Sequence, residues 1–539
     1  MKKIFMLFNL TLILFVISAC SNSNSSMSGH DMSNMDMGKT ENSSSTNNSE
    51  SKDDANLPLT TAIKELTGNT INLTAKEAVN QFDSKHKFTV WTFNGSVPGS
   101  FIRVKQDEQI TINLKNELPE PVTIHWHGLP VPNSQDGIPG VTQNAVQPGK
   151  TFTYQFTATV PGTYWYHSHQ NGVNQLDKGL YGAFIVEGNV EEKVDKDYTL
   201  VLDDWISSGE TMDEMDGMSG MDMNEDSDKN NSSSHDMSGM DMGGMNMGDD
   251  MSMYDLYTIN GKAGSSIEPL KVSKGDKVRI RLINAGYISH KLHLHGHDFK
   301  VISTDGNPVN NPSVVNNELI SVAPGERYDI EFTANTPGDW YLESHDSDQT
   351  ATKSMVTRIQ YDETNKTTDK RNYKDSLPIF DATKYGENSK ASFSINQKYN
   401  VEYTMDLNTE MNNKGMVYTI NGKAFPETEN INVKKGDLVK VTLKNSSKNA
   451  DHPMHLHGHT FQVLSKNGKP LSGSPILKDT LNLKPGDEYE VAFKADNPGD
   501  WMFHCHDLHH ASAGMVTELK YDGFTPSFKA DPNAGNKPE

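Results

Sequence analysis

Most of the 20 histidines in this 539-residue chain gather in a few short clusters. These include His125-Trp126-His127, His167-Ser168-His169, His452-Pro453-Met454-His455-Leu456-His457 and His504-Cys505-His506. In an extended strand, residues two apart face the same side. The pairs His125/His127, His167/His169, His455/His457 and His504/His506 therefore each present two imidazoles in one direction, as a metal cluster requires. Neutral imidazole suits copper, zinc and iron alike, so these eight do not name the metal. Cys505 does. Alternation sends its thiolate to the face opposite His504 and His506. His510 follows five residues on and Met515 five further, with His452 placed to supply a second imidazole. A cysteine, two histidines and a weak methionine are the ligand set of a blue-copper electron-transfer site. One stretch of backbone would then join that site, through His504 and His506, to a cluster behind it. A one-electron collector coupled to a cluster that stores several electrons is what reduction of dioxygen to water requires.

The elements that must hold these residues repeat three times. Val90–Gly95, Leu256–Gly261 and Val417–Gly422 each read as a strand ending in an Asn-Gly turn. Alternating strands follow at Gln109–Leu114, Lys277–Ile283 and Leu438–Leu443, then the turns Gln147-Pro148-Gly149, Ala323-Pro324-Gly325 and Lys484-Pro485-Gly486. Last come Pro161-Gly162, Pro337-Gly338 and Pro498-Gly499, each leading into a histidine-bearing segment. The second and third copies are offset by 161 to 162 residues throughout, and the first and second by 166 to 176. Short strands with alternating faces and Gly/Pro turns predict β-sandwiches with Greek-key connections. The chain is therefore all-β, three tandem sandwiches of one kind.

Two segments fall outside this pattern. Met1-Lys2-Lys3, the apolar run Ile4–Val16 and Ile17-Ser18-Ala19-Cys20 read as an export signal, too short for a good membrane span. The last four residues resemble a bacterial lipobox, implying cleavage before Cys20 and lipid on its sulfur; an ordinary secretory signal with an incidental cysteine is the alternative. Either way the protein works outside the cytoplasm, lipid-anchored in the first case to the bacterial cell membrane. With Cys20 acylated, Cys505 is the only cysteine left and no intrachain disulfide can form. The second segment is an insert in copy two, between strands read at Tyr198–Trp205 and Met253–Ile259. Its residues 211–253 carry 12 methionines and His235. Met27, His30, Met32, Met35 and Met37 repeat the style near the amino terminus. Thioethers are soft ligands that select Cu(I), so these stretches read as copper-capturing, with low-complexity filler as the bland alternative.

The quoted motifs, as His125-Trp126-His127-Gly128, His167-Ser168-His169, His452 to Gly458 and His504 to His510 with Gly514-Met515, resemble those of the multicopper oxidase family. The resemblance runs from about residue 55 to about residue 523 and implies cupredoxin-like domains and four copper ions. It implies that His452, Cys505, His510 and Met515 bind the type 1 copper. It likewise gives the type 2 copper to His125 and His455, and the type 3 pair to His127, His167, His169, His457, His504 and His506. Asp136 resembles the family's proton-relay acid, although Asp136-Gly137 is also a common turn pair. Ala511 follows His510 where some relatives carry a second such acid.

The resulting map is a lipoprotein signal (1–19), a disordered Met/Ser/Asn-rich tether (20–55), domain 1 (56–192), domain 2 (193–362, insert about 208–253), a linker (363–395) and domain 3 (396–539). In domain 2, His290, His293, His295 and His297 repeat the spacing of copy three, but Leu342-Glu343-Ser344-His345 stands where copy three has Phe503-His504-Cys505-His506. No blue site can close there, so domain 2 reads as a decayed, copper-free spacer; a residual site at His293, His295 and His345 is the alternative. His509 gives way to His510 as ligand, and His459 and His297 read as packing histidines.

The net charge of −22 disfavours nucleic acid and anionic lipid as partners and draws cations to the surface. The expected protein is a monomeric oxidase that passes electrons from a donor to dioxygen. Cu(I), in copper tolerance, is the first choice of donor; phenols and aromatic amines, as in laccases, come next, and ferrous ion last. A copper-sequestering lipoprotein is the non-catalytic rival, but storage needs no cysteine flanked by cluster histidines. A copper nitrite reductase is rejected because it lacks the four His-x-His pairs.

Overall fold

The computed structural model describes residues 56–190, 192–211, 253–346, 354–362, 376–412 and 415–538. The signal, Cys20, the tether, nearly all of the methionine-rich insert and the first part of the linker lie outside the described residues. What is described is six β-sheets, two for each copy of the repeat, with only short helices between strands. The chain is all-β with three sandwiches, as the repeat predicts.

Each sandwich is built alike. Its opening strand pairs in parallel with the alternating strand of the same copy: Thr70–Gln81 with Gln109–Asn116, Lys196–Trp205 with Lys277–Asn284, and Val401–Asn412 with Leu438–Asn445. Parallel neighbours need a crossover; in each copy it includes a second strand paired antiparallel with the first, and the Asn-Gly turn ends that second strand. Asn94, Asn260 and Asn421 all take positive φ, as do the glycines that follow. That conformation suits asparagine and glycine and few other residues. In copy two the strand after the insert begins at Leu256, not Met253, because residues 253–255 run irregularly before pairing starts.

Alternate residues of these strands fill three apolar cores, centred on Leu114 and Trp126, on Ile280 and Leu342, and on Val441 and Phe503. A fourth core joins the copies: Trp165 and Tyr181 from the first, Trp205 and Tyr254 from the second, and Leu508 from the third. The described part of the linker also packs. Phe380 and Tyr385 lie against the second core, while Gln462 of the third copy holds the backbone of Ser392 and Phe393. After the last strand the chain returns to copy one, where Lys537 O accepts from Asn171 N.

The second sheet of each sandwich carries the motifs. Strand His125–His127 lies beside Gly162–His167, with His125 opposite His167. Strand His452–Leu456 lies beside Asp500–Cys505, with His455 opposite His504. In copy two His290–Leu294 lies beside Asp339–Ser344, with His293 opposite Glu343.

Candidate metal centres

The strand Asp500–Cys505 ends at the cysteine, and Asp507 caps a short helix, Leu508–Ser512, by accepting from His509 N. That turn of helix brings His510 back over Cys505. His510 Nδ1 lies 3.5 Å from Cys505 Sγ, His452 Nδ1 lies 3.9 Å from it, and the two ring nitrogens are 3.2 Å apart. Both rings are held from behind. Ser447 Oγ meets His452 Nε2 at 2.7 Å, Asp507 lies 3.3 Å from His510 Nε2, and Tyr418 stacks on the His510 ring. Met515 is wholly buried in the same core, and its carbonyl accepts from Cys505 N at 3.1 Å. Two nitrogens and a sulfur converge in a dry pocket, with a thioether residue packed beside them.

On the other face of the strand, His504 and His506 meet the pairs from copies one and three. His125 stacks on His457 and His127 on His455, with ring centroids 4.0 and 3.7 Å apart. Ring atoms of His169, His457 and His504 converge within 4.8 Å, as do those of His125, His127 and His167, and those of His125, His455 and His457. None of the eight histidines is more than 1% exposed. All eight histidines that the alternation singled out thus meet at one place between the first and third sandwiches.

The rings fit a metal on their own chemistry. A ligating histidine usually fixes its far nitrogen by a hydrogen bond and so aims the near one. Here His125 Nδ1 meets Asp136 O at 2.9 Å, His167 Nδ1 meets Ser168 O, His455 Nδ1 meets Asp479 O, and His504 Nδ1 meets Cys505 O. The opposite atoms His125 Nε2, His167 Nε2 and His455 Nε2, with His127 Nδ1 and both nitrogens of His506, have no hydrogen-bond partner among the described residues. Leaving a polar atom buried and unsatisfied costs about 1–3 kcal/mol. Several at one point rival the whole stability of a domain, about 5–15 kcal/mol. Protons cannot relieve them. Burial first, then the neighbouring imidazoles, holds His127, His167, His169, His457 and His506 well below the ordinary histidine pKa and takes His504 down to about 3. Neutral imidazoles with inward lone pairs suit metal cations, and the rings with Cys505 match copper.

Asp136 is buried against this cluster. Its Oδ2 lies 3.0 Å from His457 Nδ1 and its Oδ1 3.2 Å from His125 Nδ1. It also makes the turn: a Cβ on Gly137 would fall 1.8 Å from Ile124 O. The two readings of that aspartate are therefore not exclusive.

Several supports carry no motif. Asp479 Oδ1 lies 3.2 Å from His127 Nε2, and Thr480 Oγ1 lies 3.0 Å from the same atom. Arg327 of copy two grips the Asp479 carboxylate through two bonds of 2.7 and 2.6 Å. Burial alone would raise the Asp479 pKa, but the Arg327 charge and bonds hold it well below the usual carboxylate range. Gly325 of copy two presses on the rings themselves: a Cβ there would meet His506 Cγ at 2.9 Å and His127 Cε1 at 3.1 Å. Domain 2 is thus more than a spacer. It buttresses the histidine cluster.

Within copy two the blue-site position is differently filled. His290, at the place of His452, lies between Asp204 at 2.6 Å and Asp346 at 3.1 Å. Ser344, at the place of Cys505, bonds to Asp346. His459 and His297 each bond to a tyrosine hydroxyl, Tyr521 and Tyr361, as packing histidines do. His509 bonds to Tyr254 and Asp507, outside the Cys505 pocket.

Sequence profiles described as multicopper oxidase match residues 74–191, 196–365 and 394–523. The multicopper oxidase MmcO of Mycobacterium tuberculosis is 31% identical over 447 residues, covering 80% of this chain and 82% of that protein. Laccase-2 of Botryotinia fuckeliana is 28% identical over 474 residues, covering 79% and 78%. Among solved structures, Fet3p, described as a multicopper oxidase that functions in iron import, superposes with a TM-score of 0.70 at 20% identity, covering 87% of this chain and 94% of that one. The laccase of Botrytis aclada superposes with a TM-score of 0.66 at 22% identity, covering 88% and 91%.

Proposed function

The chain belongs to the multicopper oxidase family, and we propose that its electron donor is cuprous ion. It is an oxidoreductase with dioxygen as acceptor. Four copper ions, one held by His452, Cys505, His510 and Met515 and three by the eight paired histidines, would supply one-electron uptake and four-electron reduction of dioxygen to water. In the type assignment, His125 and His455 take the type 2 ion, and His127, His167, His169, His457, His504 and His506 take the type 3 pair. Asp136 would hold a proton at His457 Nδ1 and serve as a proton relay beside the cluster. Burial of all eight rings keeps bulk water from the reacting centre.

One observation carries the choice of donor. The methionine-rich insert is rooted beside the Cys505 site. The chain re-enters the described region at Met253, and the hydroxyl of Tyr254 lies 3.2 Å from His509 Nε2, next to the ligand His510. Trp205 and Ile206, before the insert, share one apolar core with Tyr254 and Leu508. Soft thioethers in an insert whose described flank lies beside a type 1 site suit Cu(I) better than a phenol or ferrous ion. Phenols are the second reading, favoured by the likeness to Laccase-2.

Replacing residues 212–252 by a short Gly/Ser linker tests this. Oxygen uptake with Cu(I) should lose roughly tenfold in kcat/KM, about 1.4 kcal/mol, while oxidation of a phenol keeps its rate. An unchanged Cu(I) rate would sink the proposed role of the insert. We further propose that Cys20 is lipidated and that the enzyme works outside the cytoplasm, on the strength of its leader. Labelling with a radioactive fatty acid, lost in Cys20→Ala, tests that.

A further inference from the structure

We propose that domain 2 holds a metal centre of its own, a mononuclear site for a divalent first-row cation, Cu2+ or Zn2+, formed by His293, His295, His345 and Glu343. His293 and Glu343 face each other in register on neighbouring strands, and His295 and His345 stand just past the ends of those strands. The same places in copy three are held by His455, His504, His457 and His506. Copy two has therefore kept four donors of a cluster half and exchanged one imidazole for a carboxylate. In copy three those donors meet four more from domain 1. Here the four stand by themselves, enough for one ion.

The spacing is that of a single coordination shell. Ligands about 2.0–2.1 Å from a tetrahedral ion lie about 3.3 Å from one another. His293 Nδ1 lies 3.1 Å from His295 Nε2, which lies 3.3 Å from His345 Nε2. Glu343 Oε1 lies 2.8 Å from His295 Nε2 and 3.6 Å from His345 Nε2. A hydrogen-bonded cluster is a poor account of this arrangement. His295 Nε2 has three neighbours at bonding distance and can carry one proton, which points along one line only. A cation among the four atoms satisfies all of them.

Donor chemistry selects the ion. Three imidazoles and one carboxylate include no thiolate or thioether, so the site does not favour Cu(I). The set suits Zn2+ or Cu2+, and the Glu343 carboxylate offsets part of the ionic charge. Entry is from solvent, because the His295 side chain keeps 16% of its exposure while Glu343 is wholly buried. None of the four residues belongs to the Cys505 site or to the eight-histidine cluster, so the inference is independent of the electron donor.

Zinc binding tests it. The full-length enzyme with its copper complement is stripped of loose metal with a chelator and dialysed against Zn2+. Zinc is then counted by mass spectrometry. One tightly held equivalent is expected, absent from His293→Ala/His345→Ala and at least tenfold weaker in Glu343→Gln, with dioxygen reduction unchanged in both. No zinc in the wild type, or full retention in the double variant, overturns the proposal. If the double variant fails to fold, anomalous diffraction at the zinc edge from wild-type crystals decides. A peak about 2.0–2.2 Å from the four donor atoms supports the site, and its absence there overturns it. The same diffraction after Cu2+ soaking distinguishes the two ions.

Discussion

Three side chains around the cluster have separable duties. Cys505 alone offers a soft thiolate to the donor side, so Cys505→Ser should abolish turnover with every donor. Copper retained by methionine-rich segments would persist, and metal analysis beside oxygen uptake checks both. Asp136 and Asp479 each touch two of the eight histidines, yet they should fail differently. Asp136→Asn keeps an oxygen that can still accept from His457 Nδ1, so it should lower turnover by about 10–100-fold with copper content retained. Asp479→Asn also removes the nearer of the two carboxylates around the buried Arg327, leaving only Asp305 at 3.8 Å. Breaking such a pair costs about 3–5 kcal/mol, so unfolding in denaturant should move markedly and copper content should fall. Equal stability of the two variants would refute this division.

At the scale of elements, the Ala323-Pro324-Gly325 turn of domain 2 does work that its counterparts do not. Gly149 and Gly486 hold the same place in the other copies with nothing within 4 Å of an added Cβ. Gly325 has φ near +80° and the rings of His506 and His127 in the way. Gly325→Ala should cost about 1–2 kcal/mol from backbone conformation alone. It should also push His127 and His506 apart, lowering copper in the eight-histidine cluster while the Cys505 site keeps its visible absorption. The equivalent Gly486→Ala change should show the backbone cost only, which makes it the control.

For the whole molecule, domain 2 ties stability to pH. Burial pulls the His290 pKa down, but Asp204 and Asp346 outweigh it and raise it to about 10. A histidine raised above its unfolded value of about 6.5 stabilises the fold fully below that pH, and the stabilisation is lost as pH rises through the folded value. The melting temperature should therefore fall between about pH 6.5 and pH 10. In His290→Asn the loss relative to wild type should be largest near pH 6 and shrink towards pH 10. A pH-independent difference would show that His290 is not charged in the fold.

Which residues could do the chemistry was legible along the chain. Strand alternation and Gly/Pro turns are local rules, so His-x-His pairs, the opposed face of Cys505 and the threefold repeat could be read along the chain. Copy two could equally be seen to lack a blue site, because Ser344 stands where a thiolate is needed. How the eight rings group came from the packing of the sandwiches, since no spacing says that His125 stacks on His457. Nor could spacing reveal the buttress of Arg327, Asp479 and Gly325. Those residues sit far from their partners in sequence; Gly325 belongs to a repeated turn, yet nothing in the repeat sets it apart from Gly149 or Gly486, and all three roles arise from packing between domains. The single-ion geometry of His293, His295, His345 and Glu343 is of the same kind. Residue types there left both a site and a relic open, and strand register brought four donors within one coordination shell.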